Sequence, residues 1–199
     1  LGAGRWYEAL RWFLQGLQAT PDEPELHAEV AWLAAVLGLD ALAAEWAARH
    51  AERASASGSA LLDASLHLQA DRAAQALERL RASREEGDER WAGDQRGLLA
   101  QLCWQVGDLD CARSEVAAGL EEIGSGIEGI DLFDGPDDLR RGARLGLVAL
   151  RLGDATRGER LLRSVLERVQ ASPRGAVSRW RLPRELGEAE LLAALGERE

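Results

Sequence analysis

Three arginines, Arg140, Arg144 and Arg151, stand four and then seven residues apart in the stretch "DLRRGARLGLVALRLG". In a helix those spacings put three guanidinium groups on one stripe. Leu145, Val148, Ala149 and Leu152 form a second, apolar stripe that reads as the packed one, with Gly146 where another helix crosses closely. A guanidinium fork matches a carboxylate in two parallel hydrogen bonds, so the arginine stripe fits an acidic peptide or a C-terminal carboxylate. The plainer reading is a solvated face, or one partly neutralised by the acidic segment that precedes it.

The other reactive side chains carry weaker signals. Cys103 and Cys111 flank one turn in "CWQVGDLDC". A disulfide pinning two helices is open to them, but two buried or half-buried thiols are the favoured reading. No further ligand is evident for a metal there. His27, His50 and His67 show no ligand spacing, and the first two are expected to pack. Seven tryptophans accompany one Tyr and two Phe. Trp32 and Trp104 are candidates for aromatic anchors of a bound partner, against the alternative that their rings fill space between helices. Trp12 and Trp46, 34 residues apart, read as packing residues. "DLFDGPDD" lacks the alternating acids and closing Glu of a calcium loop. "SRWRLPR" is too short an Arg/Trp segment to argue for nucleic acid. No phosphate loop, nucleophile elbow or paired-carboxylate motif occurs. No catalytic residue, metal or cofactor is therefore expected.

Charge narrows the partners. The 199 residues carry a net charge of −10, and all 24 cations are Arg. The absence of Lys, Asn and Met reads as the coding bias of a GC-rich genome. A chain this acidic is a poor general binder of nucleic acid. No apolar run approaches a membrane span. The charge is also segregated: residues 108–138 hold ten acids and one Arg, and residues 139–184 hold twelve Arg and three acids. No secretory signal is visible, yet no initiator Met is present, so compartment is undecided. The cytoplasm is slightly favoured, and the periplasm stays open should a parent protein be membrane-anchored.

The elements that hold these residues are helices. Ala and Leu dominate the 46% of apolar residues, and the β-branched and aromatic residues that build strands are scarce. A fixed pattern recurs. Gly38, Gly107 and Gly153 each have a small residue seven positions before (Ala31, Ala100, Gly146) and five after (Ala43, Ala112, Gly158). Gly4 is followed by Ala9, Phe13, Gly16 and Leu17, and Gly196 is preceded by Ala189. Each unit reads as helix, Gly turn in the left-handed C-cap position, helix, with the small residues at the crossing. Asp108 and Asp154 are placed to cap the second helices. Gly4 to Gly38 is 34 residues, and Gly38 to Gly107 is 69, about twice that. A further unit must lie between, in "SALLDASLHLQADRAAQALERLRAS", without the Gly and in an uncertain register; Ala73, Leu77 and Leu80 are its expected inner face.

Period, turn glycines, paired small residues and the closing Pro21 resemble tetratricopeptide repeats. The match is good for "LGAGRWYEAL…ATP", "AWLAAVLGLDALAAEW" and "LVALRLGDATRGERLL", and weak over 59–83. The resemblance implies an all-α fold: about five antiparallel helix pairs stacked in a right-handed superhelical solenoid. Residues 1–199 are expected to form one such domain, with inserted loops at about 123–138 and 171–186. The chain starts at the turn of one repeat and ends just past the turn of another, so it reads as a fragment of a longer array. In this family the first helix of each pair lines a concave groove. That puts Arg140, Arg144, Arg151, Trp32 and Trp104 on the groove side, for a protein or peptide partner, acidic if the arginines are used. "LGDATRGERLL…LGEAELLAALGERE" further resembles the C-terminal arrays of bacterial winged-helix regulators. The expected role is a non-catalytic binding scaffold or sensory module. The alternatives are an accessory domain of a kinase or cyclase whose catalytic part lies outside the chain, and a self-association module.

Overall fold

A computed structural model describes residues 3–85, 94–123, 136–171 and 196. Among these the chain is all-α, with no strand. The helices are α1 (Ala3–Ala19), α2 (Pro24–Val36), α3 (Asp40–Ala51), α4 (Ala56–Gln69), α5 (Ala73–Glu85), α6 (Asp94–Gln105), α7 (Leu109–Ile123), α8 (Pro136–Arg151) and α9 (Ala155–Ala171). Of the two expected insertions, 124–135 and 172–186 lie outside the described residues. Residues 136–138, expected in the first loop, already belong to α8. The contacts divide the chain into two compact units, Leu1–Trp91 and Ala92–Glu199.

Within each unit neighbouring helices pack as pairs, as a helical repeat requires. In the first unit α2 packs on α3 and α4 on α5, with α1 against α2 and α4 against both α2 and α3. In the second, α6 packs on α7 and α8 on α9, and α8 also lies along α6 and α7. One turn design serves the hairpins α2–α3, α4–α5, α6–α7 and α8–α9. In the first, the Leu39 amide donates to the Ala34 carbonyl at 2.8 Å and the Gly38 amide to Ala35 at 3.0 Å. The same two bonds recur from Asp108 and Gly107 to Cys103 and Trp104, and from Asp154 and Gly153 to Ala149 and Leu150. They satisfy the last carbonyls of each first helix and reverse the chain.

The hairpin without a glycine uses the same turn. Arg72 donates to His67 and Asp71 to Leu68, with Asp71 at φ +54° in the place of glycine. Asp is among the few non-Gly residues that enter this region at modest cost. The register left open by the sequence is thereby fixed. Seven before and five after Asp71 stand Ala64 and Ala76, both fully buried. Leu77 and Leu80 are buried as expected, whereas Ala73 is only half-buried. The caps also form: Asp108 accepts from the Cys111 amide at 3.1 Å and Asp154 from the Arg157 amide at 3.2 Å.

The crossing residues behave as their size demands. Ala31, Ala100 and Ala112 are fully buried. In α8–α9, Gly146 and Gly158 face one another: a Cβ on Gly158 would meet the Gly146 carbonyl oxygen at 2.9 Å. Around these crossings Leu33, Leu98, Leu102, Leu145, Leu161 and Leu162 are buried, each contributing about 1.5–3 kcal/mol by leaving water. His27 and His50 pack, as expected, and they also anchor the α1–α2 connection. His27 Nε2 lies 2.7 Å from the Pro21 carbonyl oxygen and His50 Nδ1 2.8 Å from that of Pro24. Trp46 covers the His27 ring at 5.3 Å. Trp12, its counterpart 34 residues earlier in the sequence, has no such ring beside it among the described residues. It is 66% exposed, against the expectation that it packs.

Candidate functional site

Of the five residues singled out by type and spacing, two are brought into contact. Trp104 sits in the last turn of α6 and Arg151 in the last turn of α8. The Arg151 guanidinium carbon lies 4.4 Å from the Trp104 ring centroid. A cation over an indole face is attracted by the ring quadrupole, by about 0.5–1 kcal/mol where water reaches it. Arg151 is exposed and Trp104 half-buried, so the stacked pair presents a positive edge to solvent. The turn that follows Trp104 adds two exposed apolar side chains, Val106 and Leu109.

The rest of the arginine stripe has another fate. Arg144 is only 7% exposed and Leu147 beside it is buried, so this face packs too. The cause is Gly97 on α6. A Cβ there would lie 3.1 Å from the Arg141 Cα and 3.2 Å from the Arg144 Cβ, so α8 is drawn onto α6 along the arginine side. The helix is thus enclosed on its Leu145–Val148 stripe and, around Arg144, on part of the stripe expected to stay open. Arg140, half-buried, is eleven residues from Arg151, about 16 Å along a helix, so the two cannot grip one small group. Trp32, in the first unit, is engaged by Trp6, edge to face at 5.8 Å. It packs around the cluster of Leu10, Leu17, Val30 and Leu33, which is the space-filling alternative.

An ion cluster that sequence reasoning missed stands behind the arginines. Arg96 on α6 reaches Glu115 at 2.7 Å and Glu122 at 2.6 Å on α7, and Glu122 lies 3.8 Å from Arg141 on α8. Burial works against the Arg96 cation, but hydrogen bonding and attraction from Glu122, then Glu115, more than offset it and raise its pKa. The one local signal was Glu115 and Glu122 seven apart, on one helical face. Nothing near them in sequence names their partner.

The two cysteines are joined as a disulfide, with Cα atoms 5.8 Å apart. This corrects the favoured reading of two thiols. The Schellman turn is the reason: the bond from the Asp108 amide to the Cys103 carbonyl folds the first turn of α7 back beside the end of α6. The same fold brings a third group. The Asp108 carboxylate and both sulfurs lie within 4.8 Å of one another. No helix among the described residues is long and apolar enough to cross a membrane. No protein-family model matches the chain, and no curated protein matches it either.

Proposed function

We propose that the chain is a non-catalytic scaffold of tetratricopeptide type that binds a protein or peptide. The observation that carries this is the repeated hairpin: four turns of one design, each with small residues seven before and five after it. Stacked hairpins of this kind offer a long wall of first-helix side chains, which suits extended partners better than a small substrate. On this reading the second unit holds the contact point. Arg151 and Trp104 take an acidic side chain or terminal carboxylate together with a neighbouring apolar group. Arg140 supplies long-range attraction, and Arg144 supports the helix from inside.

Calorimetric titration with an acidic peptide tests the reading. Arg151→Ala and Trp104→Ala should each weaken binding severalfold, and Arg144→Ala should chiefly cost stability. Absence of binding by the unaltered chain at low salt, or equal binding by Arg151→Ala, would overturn it. Turnover in a broad hydrolase, transferase and redox screen, lost on changing one acid or His, would overturn the non-catalytic part. The exposed Tyr7 and Trp12 on α1 favour self-association as a second reading. Light scattering over a dilution series distinguishes that from a monomeric scaffold.

A further inference from the structure

We infer that the α6–α7 turn is a metal site in its reduced form, taking a thiophilic divalent cation of the zinc class between Cys103, Asp108 and Cys111. The argument does not depend on the scaffold reading. The Asp108 carboxylate lies within 4.8 Å of both sulfurs, which the disulfide itself holds together, so reduction leaves two thiols beside a third ligand group. Two thiolates and a carboxylate suit Zn²⁺, which takes S and O donors at about 2.0–2.3 Å in a tetrahedron. In such a tetrahedron two sulfurs stand about 3.8 Å apart, a separation that side-chain rotation can supply across a Cα spacing of 5.8 Å. Three protein ligands leave the fourth position for water or a side chain of a partner.

The turn prepares the site. Gly107, at φ +84°, lets the chain reverse between the first ligand and the other two. The Cys111 amide donates to Asp108 Oδ1 at 3.1 Å. A ligating carboxylate held by an outer hydrogen bond is oriented in advance. Cys103 is buried while Asp108 and Cys111 are half-buried, so the cluster has one closed side and one side that solvent reaches. The positive end of α7 lies at the site and favours the net negative charge of two thiolates and a carboxylate around one divalent ion.

Disulfide and metal exclude each other. A dithiol reductant transfers two electrons and two protons: the S–S bond breaks, two thiols form, and the reductant becomes a disulfide. The cation then displaces both thiol protons and forms two metal–sulfur bonds. The turn is in this way closed either by a covalent bond or by an ion.

The test uses the full chain and Co²⁺, whose thiolate complexes absorb by ligand-to-metal charge transfer. After reduction by a phosphine without oxygen, titration should give that absorption and saturate at one ion per chain, and Zn²⁺ should remove it. The oxidised chain should give none. Asp108→Asn and Asp108→Ser both keep a capping side chain, so circular dichroism should stay helical. Because loss even of an outer-sphere partner costs about tenfold or more in affinity, each variant should bind Co²⁺ at least that much more weakly. Cys111→Ser should lose the absorption. No charge-transfer band in the reduced chain, or undiminished affinity in either Asp108 variant, would overturn the inference.

Discussion

At Gly158 a single methyl group would meet the Leu150 Cγ at 2.8 Å and both the Gly146 carbonyl oxygen and the Leu150 nitrogen at 2.9 Å. Two of those atoms are backbone, so they cannot swing aside. Gly→Ala inside a helix ordinarily gains about 0.5–1 kcal/mol. Here overpacking should reverse the sign, and Gly158→Ala should cost about 1–3 kcal/mol. Gly16 supplies the contrast, because its added methyl meets only Leu26 Cδ1, at 3.6 Å. Gly16→Ala should therefore raise stability by about 0.5–1 kcal/mol. Urea midpoints of the two variants check both signs, and a rise for Gly158→Ala would show that the crossing is looser than described. Asp71→Gly should also stabilise, by about 1 kcal/mol, because the left-handed conformation costs Asp and not Gly. The crossing alanines and glycines were legible in the sequence because a recurring offset marks them. Asp71 was not, because what repeats there is the left-handed conformation and not the glycine.

Three helices meet at Arg96, and the strength of that junction can be set against ordinary surface pairs. The Arg96 and Glu115 side chains are 16% and 9% exposed, so water screens their attraction little. Removing Arg96 takes an ion-pair partner from a largely buried carboxylate, and Arg96→Ala should cost about 1.5–3 kcal/mol. Arg113 and Asp110, 58% and 98% exposed, make an exposed pair, and Arg113→Ala should change stability by no more than about 0.5 kcal/mol. Thermal melts of both variants decide; equal small shifts would mean that the cluster adds nothing to packing. The sequence could show α8 as a helix with two stripes, because both periods are local. It could not show that Gly97, more than forty residues earlier, draws the arginine stripe onto α6. It also could not show that Glu122 meets Arg141. Those are tertiary facts, and no spacing within α8 encodes them. Legibility thus extended to hairpins, caps and crossings. It failed for the face on which a first helix meets the next one, which is where a binding surface is decided.

At the scale of the whole chain, charge is the property that bears on binding. The net charge of −10 repels an acidic partner from a distance, while residues 139–184 carry twelve arginines against three acids. An acidic peptide must therefore reach a local positive field inside a negative one. The segment 124–135 controls that balance on the binding reading; it lies outside the described residues, and its composition alone carries the argument. Deleting it removes three acids and no arginine, moving the net charge from −10 to −7. If that segment screens Arg140 and Arg151, the deletion should tighten binding of an acidic peptide. The gain should also shrink between low and moderate salt, because exposed charges are screened over about 10 Å at 0.1 M. A segment that only braces the fold would behave otherwise: its loss should lower the melting temperature and leave affinity unchanged. Calorimetry of the deletion variant at two salt concentrations, with Arg151→Ala in the same background, separates the cases. Tightening that survives Arg151→Ala undiminished would place the attraction elsewhere on the chain and end the clamp reading.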